Sequence, residues 1–188
     1  MKDLLNDCDA PSWMAALRRG KPKHILPRSL AAEVLEISKA ALSVAIKNGR
    51  FAEICIGKKT YLLLEDIMSE WKKSEAVVDD VEVILEEYAR LGETIFYGEL
   101  MERVDLNWRS PPDRNTIGVI LAKVSRRSHA AGHGLLSALV HRKSADPTTT
   151  GPGFFNLARS MDLLREDKSE VKFLRKQMEK VWASYKPK

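Results

Sequence analysis

The residues of this chain best suited to chemistry are cations, not nucleophiles. Lys39, Lys47, Arg50, Lys58 and Lys59 fall in one stretch, with the hydroxyls of Ser38 and Ser43 among them. Hydroxyls and cations spaced in this way suit phosphate oxygens, which accept hydrogen bonds and carry charge. A second basic group follows at Arg103, Arg109, Arg114, Lys123, Arg126, Arg127, Arg142 and Lys143, with Asn115 beside Arg114. Residues 103–143 hold eight Lys or Arg against two Asp, whereas residues 75–102 hold nine Asp or Glu against one Arg. That asymmetry has two readings: acidic and basic helices pair within the fold, or the basic stretch faces a polyanion. A net charge of +5 and a pI near 9.2 permit the second reading without requiring it.

Catalytic and metal chemistry find little footing. Cys8 and Cys55 form neither a metal spacing nor a disulfide framework, which fits a reduced, cytoplasmic protein. His129 and His133 stand four apart, a spacing that can hold zinc, with His141 further on. A third ligand and an intervening Glu are missing, and Gly132 and Gly134 weaken the helix. Glu99, Glu102 and the acidic run 79–87 follow an amphipathic helical pattern, which reads as a solvated face rather than a carboxylate pair. The glycines of 151-GPGFF-155 have no following lysine and do not read as a phosphate loop. The expectation is a non-enzyme without cofactor or metal. Positions 1–10 are polar and acidic, with no secretory core, and no apolar run is long enough to span a membrane.

The elements that must position the cations can be traced in outline. A short apolar helix at 12–20 and a basic linker broken by Pro22 and Pro27 occupy residues 1–28. Residues 29–37 carry apolar side chains at helical spacing, with Ser29 placed as a cap. Ser38 opens a second helix to about Ile46, stopped by Gly49. The runs 52-AEICIG-57 and 60-TYLLL-64 form a hairpin around Gly57-Lys58-Lys59, and a helix at 65–73 closes the unit. Residues 74–80 (SEAVVDD) suggest a boundary. Helices are then expected at 80–91, 98–104 and 114–125, with an extended piece at 94–97 and a strand at 135–141. Arg114 and Asn115 open the third of these after Pro111-Pro112-Asp113, so its N-terminus is a candidate phosphate site. A Pro/Gly/Thr loop at 144–153 follows. The tail from Asp162 is a charged helix whose seam, Val171, Leu174, Met178, Val181 and Tyr185, fits packing on the second domain and leaves a dimer or partner contact open.

The stretch SLAAEVLEISKAALSVAIKNGRFAEICIGKKTYLLLEDIMSEW, residues 29–71, resembles the excisionase and MerR-type DNA-binding domain. The matching positions include Leu30, Ala31, Leu35, Ser38, Leu42, Ile46, Gly49, Arg50, Gly57, Lys58, Leu64, Asp66 and Ile67. The resemblance implies a winged helix-turn-helix whose second helix enters the major groove while the wing touches backbone. It implies larger polar, aromatic or basic residues where Ala41, Ser43 and Val44 stand, so this chain should read bases poorly and hold phosphates mainly. The stretch FYGELMERVDL…RNTIGVILAKVS is similar to the DNA-binding part of alkylguanine-DNA alkyltransferase-like proteins. The Pro-Cys-His-Arg reactive centre that this likeness implies is absent, Cys8 and Cys55 lie outside that domain, and without a thiol there alkyl transfer is excluded.

Together these readings give a mainly α chain with short β-hairpins (α+β). It comprises an N-terminal helix and linker (1–28), a winged helix-turn-helix (29–74), a second, winged-helix-like domain (80–160) and a C-terminal amphipathic helix (162–186). The expected function is non-enzymatic DNA binding, regulatory or architectural, in a mobile element, phage or defence locus. Ser38, Lys39, Ser43, Lys47, Arg50, Lys58, Lys59, Arg114, Asn115, Arg126 and Arg127 are the candidate contacts. The alternative is an adaptor that uses a degraded winged helix and the C-terminal helix to hold a toxin, recombinase or nuclease partner.

Overall fold

A computed structural model describes residues 25–56, 58–143, 150–165 and 169–186. The proposed helix at 12–20, most of the linker, Cys8, Gly57 and most of the 144–153 loop lie outside the described residues. The chain is mainly helical, with seven α-helices and a few short strands among the described residues. It divides into two compact units, one ending at Glu75 and the other starting at Ala76.

In the first unit, β1 (Ile25–Pro27), α1 (Arg28–Val34), α2 (Lys39–Lys47), β2 (Glu53–Ile56) and β3 (Lys59–Leu63) lead into α3 (Leu64–Leu91). The three strands form an antiparallel sheet in the order β1-β3-β2. Ile56 pairs with Lys59 across the hairpin, and Leu26 pairs with Leu62 on the other side of β3. The linker reading missed β1. Pro27 is tolerated there because the strand lies at the sheet edge, where a missing N–H costs no ladder bond. Pro27 also caps α1, with no side-chain bond, so Ser29 lies inside the helix and not at its cap. Helix α1 stops at Val34 because Glu36 adopts φ +54°, and Ile37 N–H then donates to Ala32 carbonyl at 3.0 Å. Leu26, Leu30, Leu42, Phe51, Leu62 and Ile67 make the core of this unit.

The division between Glu75 and Ala76 falls within the 74–80 segment, yet the two helices expected on either side of it are one helix. That segment contains no Gly or Pro, and Val78 and Val81 continue the apolar spacing of Ile67 and Trp71, so α3 runs through it. Ile67 belongs to the first core, and Val78, Val81 and Leu85 belong to the second.

The second unit adds β4 (Ile95–Phe96), α4 (Tyr97–Arg103), α5 (Pro111–Ala130), a 3₁₀ turn at Leu136–Leu139, β5 (Val140–His141), α6 (Pro152–Ser160) and α7 (Glu170–Tyr185). β4 and β5 pair in parallel, Ile95 opposite Val140. The strand expected at 135–141 is therefore mostly 3₁₀ helix. Leu135, Leu136, Ala138 and Leu139 are all buried, so the run reads as continuously apolar without being extended. Ser169 caps α7, which starts later than the charged tail suggested. Its seam is spent inside the unit: Leu174 and Val181 are buried, while Met178, Trp182 and Tyr185 pack against the cores. Val171 alone of that seam stands well exposed, at 69%.

Candidate nucleic-acid interface

Helix α2 owes its start to Ser38, whose Oγ accepts from the Ala41 N–H at 3.1 Å, and its stop to Gly49 at φ +74°. Leu42 is its buried anchor, with Ala45 and Ile46 half-buried beside it. Fully burying a leucine stabilises by roughly 1.5–3 kcal/mol, enough to fix which side of so short a helix turns inward. The 100° step between helical residues then places Ala40, Ser43 and Lys47 on the outward side, whereas Lys39, 60° from Leu42, is exposed as the first residue of the helix. Val44, 58% exposed, borders them.

Lys39, Lys47 and Lys58 form no ion pair with any described residue. Lys58 stands exposed at the turn of the β2–β3 hairpin, and Lys59, also exposed, begins β3. Two of the other candidates are engaged locally. Arg50 forms an ion pair with Glu70. Ser43 Oγ donates to the Lys39 carbonyl at 2.8 Å and accepts from Arg28 Nη2 at 2.9 Å. Arg28 Nη1 lies 3.3 Å from a Glu53 carboxylate oxygen. Sequence reading missed Arg28 because its partners lie 15 and 25 residues away, beyond any local period.

The basic group of the second unit is arranged differently. Helix α5 begins at Pro111 with Ser110 as its cap, so Arg114 sits in the fourth position and Asn115 in the fifth, both exposed. A carboxylate already stands at the helix N-terminus, where its charge opposes that of a phosphate. Asp113 stands in the first turn, and its carboxylate accepts from the Asn107 N–H at 2.9 Å. Arg114 Nη1 donates to the carbonyls of Trp108 and Arg109 at 3.1 and 3.2 Å, so it braces the preceding loop. Arg127 lies 2.7 Å from Asp79 and 3.0 Å from Glu82. Arg103 donates to Glu99 and to the Tyr88 hydroxyl, and Arg109 stacks over Trp108 at 4.9 Å. Arg126 is exposed, with no ion pair to a described residue.

A cleft of about 1000 Å³ opens in the second unit between Tyr97, Trp108, Arg114, His141, Arg142 and Phe154. Tyr97 donates to the Arg114 carbonyl at 3.1 Å. Burial raises the Tyr97 pKa, and the charges of Arg114 and Arg142 oppose that rise. The cleft is lined by both signs of charge, since Glu99 and Glu102 also face it, and it holds no thiol. The described cysteine, Cys55, is exposed on β2 in the other unit. His133 Nδ1 lies 3.2 Å from the Tyr185 hydroxyl, and His141 is buried with Nε2 3.3 Å from the Ala138 carbonyl. No three His, Cys, Asp or Glu side chains gather in a metal-binding group among the described residues.

Set against protein-family models, curated proteins and solved structures, the chain matches none of them.

Proposed function

We propose that the first unit is a winged helix-turn-helix that docks on double-stranded DNA through phosphate contacts, in a regulatory or architectural role. In this reading α1 and α2 are the helix-turn-helix, and the β2–β3 hairpin is the wing. The observation that carries it is the set of three exposed lysines without ion pairs to described residues: Lys39 at the start of α2, Lys47 on its outward side, and Lys58 at the hairpin turn. Exposed ammonium groups attract a polyanion, and each phosphate they neutralise releases condensed counterions.

The same surface limits sequence readout. Ala40 and Val44 offer no hydrogen bond, and Ser43 is already bonded on both sides. Binding should therefore be strongly salt-dependent and weakly selective. The test is fluorescence anisotropy of the full chain with a labelled duplex of arbitrary sequence. The three lysine contacts should together contribute about 2.7 to the slope magnitude of log Kd against log salt. No binding at ~50 mM salt overturns the proposal.

A further inference from the structure

The weak point of the surface just described is its one bridged arginine. Arg28, at the start of α1, reaches over the outward side of α2 to Ser43 and, with its other terminal nitrogen, to Glu53 on β2. Its side chain remains 40% exposed and that of Glu53 33% exposed. Ser43 is fixed in turn by the Lys39 carbonyl, so the guanidinium is oriented from behind by a neutral partner and faced on its other branch by a carboxylate.

We propose that Arg28 is a fourth phosphate-binding residue of this surface, and that Glu53 occupies its guanidinium as an internal anion when DNA is absent. The inference rests on the DNA-binding reading of the first unit. Three features carry it. A guanidinium nitrogen donates to a phosphate oxygen as it does to a carboxylate oxygen, so a phosphate can take the place of Glu53 on Nη1 without moving the arginine. The Arg28–Glu53 pair is longer than an ideal charge-assisted hydrogen bond and open to solvent, so little holds it against a competing anion. The Ser43 bond uses a separate nitrogen, so it survives the exchange and keeps the side chain over α2.

Arg50 is the internal comparison. It is also ion-paired and also in the first unit, but its partner Glu70 lies on α3, and no bond ties it to α2 side chains. Arg28 is therefore assigned to the interface and Arg50 to the fold.

The experiment is the salt titration of duplex binding on four variants of the full chain. R28Q should bind about tenfold more weakly at ~50 mM salt and lose about 0.9 from the slope magnitude. R28K should keep the wild-type slope, because it keeps the charge while losing the fork. E53Q should bind about threefold tighter or more, since the competing anion is gone. R50Q should leave the slope unchanged. A wild-type slope in R28Q, or an equal loss of slope in R50Q, overturns the inference while leaving the DNA-binding reading in place. Failure of the wild-type chain itself to bind removes that reading and this inference together.

Discussion

The two basic regions look alike as sequence and differ as structure. In the first unit the lysines at 39, 47 and 58 remain exposed and without ion pairs among the described residues. In the second unit three arginines do internal work, Arg103 on Glu99 and Tyr88, Arg114 on two loop carbonyls, Arg127 on Asp79 and Glu82, while Arg126 stays exposed without an ion pair to a described residue. The difference follows side-chain chemistry. A guanidinium presents a rigid fork of donors that finds carbonyls and carboxylates within its own fold, whereas an ammonium is a strongly hydrated point charge that stays in water. Counting positive residues along a chain thus overstates the charge that a partner can reach. Which cation, and what it already holds, decides.

Neutralising the exposed set should give the largest effect. A K39Q/K47Q/K58Q variant is expected to bind duplex DNA at least ~30-fold more weakly at ~50 mM salt, with about 2.7 removed from the slope magnitude. Its thermal midpoint should stay close to wild type, because none of the three holds a described carboxylate. An unchanged affinity would erase the contrast between the regions from the functional side.

The opposite outcome is expected at Arg127. Replacing it with Gln leaves Asp79 and Glu82 facing each other without their shared cation. The pairs are partly exposed, so the loss should be modest, about 0.5–1 kcal/mol in urea unfolding of the full chain. DNA affinity should move by less than about twofold. A loss of affinity comparable to that of the triple lysine variant would show that this arginine is reached from outside after all.

What could be read from the sequence divides along physical lines. Local signals held: Ser38 caps α2, Gly49 ends it, and the hairpin turns between Ile56 and Lys59. Each depends on a few neighbouring residues whose chemistry is visible in order. The ends of elements set by tertiary packing were not legible, although the division between Glu75 and Ala76 does fall within 74–80. The 74–80 segment changes composition but contains no breaker, and α3 continues through it because both cores use its apolar residues. β1 was hidden in a Pro-containing linker, since an edge strand of three residues has no alternation to detect. For the site, Lys47 was legible from helical spacing and Lys58 from the hairpin turn. The pairing of Arg50 with Glu70, of Arg114 with loop carbonyls and of Arg127 with Asp79 and Glu82 was not, because these partners come from other turns and helices and leave no period. Arg28 escaped for the same reason.

The smallest effect separates the regions by titration and not by mutation. Three of the four tyrosines, Tyr88, Tyr97 and Tyr185, lie in the second unit, and each has a pKa raised above the ordinary phenol value of 10.0. For Tyr88 the leading cause is its hydrogen bond to Glu99; for Tyr97 and Tyr185 it is burial. A raised phenol pKa means that the folded chain keeps its proton where the unfolded chain has begun to lose it. This contribution to stability is therefore full below pH 10 and declines as pH rises through the folded values. The ionisation of phenol absorbance should be displaced to higher pH in the native chain than in urea, and urea midpoints should begin to fall near pH 10. Y97F should lessen that fall, because phenylalanine has no proton to lose, although it also gives up the bond to the Arg114 carbonyl. Coincident native and denatured titrations would mean that the second unit holds its phenols no more tightly than water does, and would leave the cation contrast as the only chemical distinction between the two regions.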